Sequence, residues 1–529
     1  MMFHFYHLPL AILFWSSTVL SDAPWINDFE AYNVERKWGN TPSQAYKSSP
    51  VTSPLWQVST FEKELIDVNT PYIFLTTQNQ TGFFSTLIFR SDDLSLVYAN
   101  SSRITTANFR VQKYMGSSYL THWTGNFTGG HGNGHVYFLD NHYRLNRRVS
   151  TFGISSQADM HESQMTDDGT LLVSTYIDKP FDLRPVGGPA NGTLADSCFQ
   201  EIDLVTGESL FQWCASDHFK PQDSYAKYQK NTYGGAAGGG GQGLSVGWDF
   251  FHLNSIQKYN GNYLVNGRLL KLVTYISGAT GNPIWKLGGK LNEFKDLSDG
   301  QATNFGFEHH VRFRSADHSQ LTLFDNHELE LNFNCTTNCS RGLHLSLDFE
   351  KKTARLVESL LHPDHLTTAA MGSVSILANN NTLVGWGLNA GLTEHLPGGK
   401  CVLNAQVAPF AQNIMSYRIW KDSWIGLPTW SPTLTFENDT FYVSWNGATE
   451  VATWRLAQAD NSAMLNSTSR LVPRAGFETA MGVERSAMLP KYAQAEALAS
   501  DGTVQGRSAV LEVASGRNIL AGNGYQIQG

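Results

Sequence analysis

Turn signals between short apolar runs recur along most of this chain, and that recurrence limits the fold more than any other feature. The run 170–176 follows an Asp168-Gly169 turn, 262–266 follows Asn260-Gly261, and 283–287 follows Thr280-Gly281. Further along, 321–324 follows Ala316-Asp317-His318, 382–386 follows the asparagines 379–381, 441–445 follows Asn438-Asp439, and Thr503-Val504 follows Asp501-Gly502. Gly and Asn reach the positive φ angles that tight hairpins need, and the β-branched and aromatic residues between them suit a pleated strand. Long helical periodicity is absent. The one helical expectation is 493–500, an Ala-rich stretch with Gln494, Glu496 and Leu498 that stops at Asp501-Gly502.

The pattern predicts an all-β fold: a barrel, a sandwich or a β-propeller. The 529-residue length favours the propeller, with six blades expected. Six blades imply roughly 85 residues each against a usual repeat of about 40–50, so long insertions are required. Gly234 to Gly243 reads as one of them. No Gly-Lys-Ser/Thr follows it, so it is a connector and not a phosphate loop. No strong linker divides the chain, which reads as one domain over 22–529 with an irregular stretch to about residue 60. Hydrophobic residues at 41% against 16% charged supply a sizeable core and argue against disorder.

Residues 1–21 read as a signal peptide. The apolar stretch from Leu8 to Leu20 is too short to span a bilayer comfortably, and Val19 and Ser21 suit a small-residue cleavage site. No later apolar run is long enough to span a membrane. Secretion agrees with nine Asn-x-Ser/Thr acceptors, at Asn79, Asn100, Asn126, Asn191, Asn334, Asn338, Asn380, Asn438 and Asn466. It also agrees with the cysteines. Cys198 and Cys214 lie symmetrically about Thr206, so a hairpin centred there sets them opposite each other for a cross-strand disulfide. Cys335 and Cys339 close a small loop, or one of them pairs with Cys401; the odd count leaves one thiol over. A net charge of −8 with no basic run excludes nucleic acid as a natural partner. The sequence gives no oligomeric state.

Three segments place histidines where strands begin or end. They are 159–165 with His161, 248–255 with His252 and Asn254 followed by Arg268, and 306–312 with His309 and His310 followed by Asp325-Asn326. In a propeller such positions face one central channel, so one histidine from each would converge. In extended backbone His309 and His310 point to opposite faces, so only one of the two joins the site. A neutral imidazole is a competent nucleophile, a second histidine serves as acid or base, and an arginine grips a sulfate or phosphate through two parallel hydrogen bonds. Three histidines also ligate zinc, but no His-x-His or His-Glu-x-x-His pattern occurs and no cofactor is expected. Trp123 and Trp248 are candidates for packing an aromatic substrate ring.

At these residues the chain resembles the arylsulfotransferase family, in its secreted fungal-type branch. The segments that carry the resemblance run from Trp123-Thr124-Gly125 with Gly129-Gly130-His131-Gly132, through His161 with Gln164, Thr166, Asp168 and Gly169, to 251–255 and 285–290. They end with Phe307-Glu308-His309, Phe324-Asp325-Asn326 and 444–451. The resemblance implies a six-bladed propeller that moves a sulfuryl group from a phenolic sulfate to a phenol without a nucleotide donor. It implies His309 as the transiently sulfated nucleophile, His252 and Arg268 holding the sulfuryl group with Asn254 beside them, and His161 as a further contact or proton shuttle. The alternative is a non-catalytic secreted propeller that binds a ligand or partner protein through its funnel.

Overall fold

Strands begin where the turn chemistry places them, and they group into successive antiparallel sheets. The computed structural model describes residues 22–520 apart from 24, 79–83, 231–238, 241–246, 329–334, 411–413, 463–464, 466–467 and 484–487. The expected signal peptide at 1–21, most of the glycine-rich segment from Gly234 to Gly243, and the expected acceptors Asn79, Asn334 and Asn466 therefore lie outside the described residues.

The chain is all-β. The first sheet holds Tyr72–Gln78, Phe84–Arg90 and Leu96–Ser102, with the distant strand Trp420–Asp422 paired onto its Tyr72–Gln78 edge. The second holds Thr105–Tyr114, Ser117–Thr128, His131–Leu139 and Leu145–Val149. The third begins with Ser163–Met165 and continues through Thr170–Phe181, Gly192–Asp203 and Ser209–Cys214. The fourth runs from Leu253–Tyr259 to Pro283–Leu287, and the fifth from His309–Phe313 to Thr353–Leu361. The sixth runs from Ser373–Ile376 to Cys401–Gln406 and is extended by Gln57–Phe61 from the N-terminal segment. Within 22–60, which the sequence gives as irregular, that strand is preceded by a short helix, Phe29–Asn33, and a two-stranded ribbon.

The first strands of these sheets lie side by side. Thr105–Tyr114 packs against Tyr72–Gln78 and Ser163–Met165, Leu253–Tyr259 against His309–Phe313, and His309–Phe313 against Ser373–Ile376. Between the sheets lie separate apolar clusters, such as the one around Phe199, Trp213, Trp248 and Phe251. Trp248 is fully buried in that cluster and Trp123 in a separate one with Val136 and Phe138, and neither lines an open site. A ring of that size removes roughly 200 Å² from water, worth about 5 kcal/mol at ~25 cal/mol/Å². Core packing therefore accounts for them, against the sequence expectation of a substrate contact.

Residues 493–500 correct the helical expectation: Tyr492–Leu498 is a strand paired with Thr453–Ala459. Ala493, Ala495 and Ala497 pack into the core, Glu496 between them is buried against Arg455 and Arg507, and tertiary pairing overrides alanine's helical propensity. This strand belongs to a C-terminal sheet with its own apolar cluster around Trp454 and Phe441. The loop 445–447 fastens that region to the first sheet. Asn446 exchanges two hydrogen bonds with the Ala99 backbone at 2.9 and 3.0 Å, and the Gly447 N–H donates to Val97 O at 2.7 Å.

Cys198 and Cys214 are direct cross-strand partners and form a disulfide, as their spacing predicts. Cys335 bonds Cys339, leaving Cys401 as a free thiol. The described acceptors Asn100, Asn126, Asn191, Asn338, Asn380 and Asn438 are all exposed. No described helix is long and apolar enough to cross a membrane.

Candidate functional site

Each of the three histidines sits at the start of a sheet's first strand. His161 precedes Ser163–Met165, His252 precedes Leu253–Tyr259, and His309 opens His309–Phe313. Two are set by a carboxylate a few residues earlier. Asp249 Oδ1 accepts the His252 N–H at 2.9 Å and the Phe251 N–H at 3.2 Å, closing a tight turn with His252 at φ 57°. The same carboxylate takes the His252 Nδ1–H on Oδ2 at 2.6 Å. Asp159 repeats the device: its Oδ1 accepts the His161 N–H at 2.8 Å and also contacts His161 Nδ1. Short polar side chains favour such local capping, which fixes backbone and imidazole together.

The glycine-rich segment supports this arrangement. The Trp123 ring lies over Gly132, where an added Cβ would stand 2.7 Å from it. The Gly132 N–H in turn donates to Asp159 Oδ2. Next to it, His131 Nε2 contacts Asp249 Oδ2 at 2.9 Å, with its ring centroid 3.9 Å from that of Tyr176. His131, Asp249 and His252 are close enough to hold a metal ion, but N–H···O hydrogen bonding to one Asp249 oxygen accounts for both contacts.

His309 differs from the other two. Its Nδ1–H donates to the amide oxygen of Asn326 at 2.6 Å. The Asn326 amide is oriented by donating to Thr368 O at 2.7 Å and Met371 O at 3.0 Å, so the oxygen faces the ring. With Nδ1 protonated, the neutral imidazole carries its lone pair on Nε2. That atom accepts the Met371 N–H at 3.1 Å.

The side chains converge. The His161 and His252 centroids are 4.7 Å apart at 80°. Tyr417 stands 5.7 Å from His161 and 6.4 Å from His309. Arg268 is fully buried, its N–H on His252 O at 3.2 Å and Nη2 on Ala369 O at 2.8 Å. Asn254 lies beside them, but its amide donates to Glu308 O at 2.7 Å and bridges the fourth and fifth sheets. His310 does not join the site. A bulge with His310 at φ 55° replaces the extended backbone expected there, and its Nδ1 accepts the Val374 N–H at 3.1 Å. A cavity of about 20 Å³, lined by threonines such as Thr76 and Thr106 as well as by Phe84, Met160, Met371 and Tyr417, has no histidine among the described residues of its lining.

Burial sets the charge states. It lowers His252 to about 4 against the pull of Asp249, and it lowers His309 well below the usual value, with Arg268 adding to the effect. Arg268 drops to about 10 through burial and stays cationic at neutral pH. Beneath the histidines, Glu162 is held at about 2 despite burial by Arg312, Arg418 and Arg110. Arg418 also donates to the main-chain oxygens of His161 at 3.0 Å and Asn254 at 2.6 Å, tying two first strands together.

Residue spacing alone did not assign roles to Asp159, Asp249, His131, Asn326, Tyr417 or Arg418. The two aspartates carried a signal, since each precedes its histidine at capping distance. Tyr417 and Arg418 carried none, because they arrive from a segment more than a hundred residues beyond His309.

No curated protein sequence matched the chain. Among solved structures, a protein of unknown function from Bacteroides caccae is similar at 13% identity and a TM-score of 0.38, covering 66% of this chain and 98% of that one. Saccharomyces cerevisiae Sqt1 is similar at 10% identity and a TM-score of 0.31, covering 78% and 82%. Both scores fall below 0.5, so neither bears on the argument. The arylsulfotransferase (ASST) family profile matches residues 110–408, a span that contains His161, His252, Asn254, Arg268 and His309. With more than half of its length matched, the chain belongs to the arylsulfotransferase family.

Proposed function

We propose that this protein is a secreted, nucleotide-independent sulfotransferase that moves a sulfuryl group from a phenolic sulfate to a phenolic acceptor through a sulfohistidine at His309. The observation that carries the reading is the contrast among the histidine partners. His161 and His252 face carboxylates, whereas His309 faces a neutral amide that leaves a lone pair on Nε2. The fold in which we place this chemistry is a six-bladed propeller. Six sheets in chain order, side-by-side first strands and the return of Trp420–Asp422 to the first sheet support it.

In the first step His309 Nε2 forms a bond to sulfur, the sulfur–oxygen bond to the donor breaks, and the aryl oxygen leaves with a proton from His161. In the second, the acceptor phenol returns a proton to His161, its oxygen bonds to sulfur, and the nitrogen–sulfur bond breaks. Arg268 holds the sulfuryl oxygens, and His252 joins it as a donor once the charge of the bound anion, with Asp249 behind the ring, draws a proton to Nε2; the dispersed negative charge needs fixed donors in a dry site. No metal or nucleotide enters these steps. Tyr417, its ring 5.7 Å from His161 and 6.4 Å from His309, is the aromatic group placed to meet a substrate ring.

One observation favours the alternative of a non-catalytic binding propeller: the Met371 N–H already engages His309 Nε2, so attack requires that amide to turn away. The deciding experiment mixes purified secreted protein with 4-nitrophenyl sulfate, with and without a second phenol, beside His309→Ala. Acceptor-dependent nitrophenol release that disappears in the variant supports transfer through His309. No release across several donors and acceptors supports the binding module, and release without an acceptor indicates hydrolysis.

A further inference from the structure

Below the histidines, the first strands carry a second concentration of charge that sulfuryl transfer does not use. Arg110 comes from Thr105–Tyr114, and His310 and Arg312 come from His309–Phe313. Arg418 joins them around Glu162. All five side chains are at least nine-tenths buried. Glu162 meets Arg312 Nη2 at 2.5 Å, Arg418 Nη1 at 2.9 Å and Arg110 Nη2 at 4.0 Å. Three guanidiniums thus face one carboxylate. Asp422 also acts on Arg110, but two carboxylates against three guanidiniums still leave the cluster positive. Buried charge without a counterpart is costly, so the excess calls for an anion.

Two donors point to where it sits. His310 Nδ1 accepts the Val374 N–H, so the neutral ring carries its proton on Nε2. That Nε2–H meets no acceptor among the described residues, and neither does the Arg110 Nε–H. Both side chains stand against the same ring: the Arg110 guanidinium carbon is 4.5 Å from the Trp420 centroid, and the His310 centroid is 4.9 Å from it. Arg314, less buried, lies on the same side, its Nη2 on Val374 O at 2.6 Å. Two unsatisfied donors, an excess of positive charge and a shared aromatic wall describe a receptor for a small negative ion.

We propose that Arg110, His310 and Arg312 form a binding site for a small inorganic anion, of halide or sulfate size, beneath the catalytic histidines. The site is independent of the sulfotransferase reading. Its occupant braces the Glu162–Arg418 pair, and through Arg418 the main-chain oxygens of His161 and Asn254.

The test uses the full-length secreted protein, desalted and titrated with sodium bromide, sodium sulfate or sodium gluconate at matched ionic strength. Ligand linkage predicts a saturable rise in Tm of about 2 °C or more with bromide or sulfate over gluconate. The rise is lost in Arg110→Met and His310→Phe but retained in Arg268→Ala, which separates this site from anion binding at the catalytic arginine. A response to one ion alone identifies the occupant. In bromide-soaked crystals of the unmodified protein, an anomalous peak falls within hydrogen-bonding distance of His310 Nε2. Equal Tm in all three salts, a rise that survives Arg110→Met, or crystals without that peak overturns the proposal. If either variant fails to fold, the diffraction result decides alone.

Discussion

Replacing Asn326 with aspartate puts a carboxylate where His309 now meets a neutral amide, and the consequence follows from the geometry. The present hydrogen bond is 2.6 Å long and fully buried. A unit charge about 4 Å from the imidazole centre, at an effective dielectric of about 20, contributes roughly 4 kcal/mol, or about three pKa units. His309 then rises from well below its usual value toward neutrality, and the nucleophile becomes protonated at pH values where it is now free. The assay is kcat/KM for acceptor-dependent release of nitrophenol from 4-nitrophenyl sulfate between pH 5 and 9. The unmodified protein has its acid limb below 6.5. In the variant that limb climbs by about two to three pH units, while the alkaline plateau is partly kept. The substitution also removes the donors to Thr368 O and Met371 O, which costs about 1–3 kcal/mol for each group left unpaired. That structural loss lowers the rate equally at every pH, so the two effects separate. A limb that stays in place while the plateau collapses refutes the assignment of His309 as the group kept neutral by Asn326.

Arg268→Lys keeps a cation but loses the planar fork, so kcat/KM falls roughly a hundredfold with the circular dichroism spectrum unchanged; an unaffected rate removes Arg268 from sulfuryl binding. Cys198→Ser opens a cross-strand link spanning 16 residues and costs about 3 kcal/mol, read as a lower midpoint in denaturant. Stability should also fall in acid. Burial lowers His252 to about 4 and His362 to about 3, with His309 and His310 well below 6.5. Each takes up a proton on unfolding below pH 6.5 while staying neutral in the fold, which costs about 2 kcal/mol per histidine at pH 5. Glu308, raised to about 8 by burial, and Asp22, raised to about 6, oppose this by binding their protons in the fold as pH drops, but they are two groups against five histidines, since burial also lowers His122 to about 4. A Tm that climbs steadily from pH 7 to pH 5 contradicts the burial of these rings.

The fold was legible where local chemistry sets it. Asp168-Gly169, Asn260-Gly261 and Asn438-Asp439 each precede a strand that begins within two residues of the turn, because positive φ at those positions permits little else. The spacing of Cys198 and Cys214 fixed a register for the same reason. The error at 493–500 has the opposite cause. Alanine carries a helical preference of less than a kcal/mol per residue, and pairing with Thr453–Ala459 and burial against Trp454 outweigh it. Attachment of Gln57–Phe61 to the sixth sheet and of Trp420–Asp422 to the first was not legible either, since nothing local in a strand names a partner more than 300 residues away.

The candidate site divides along the same line. His161, His252 and His309 could be picked out because each opens a strand, and Asp159 and Asp249 were readable as turn caps. The distinction between their roles was not, because it depends on which side chain meets Nδ1. For His309 that partner lies 17 residues on and is oriented by the carbonyls of Thr368 and Met371, in a loop whose own His365 and Gly372 give no sign of that contact. A sequence gives the kinds of groups near a centre, while proton positions follow from hydrogen bonds made by distant backbone. Two histidines with carboxylate partners and one with an amide partner are the same residue type in three similar motifs. Only the tertiary contacts set one apart from the other two, and the proposed nucleophile is the one whose Nδ1 partner is uncharged.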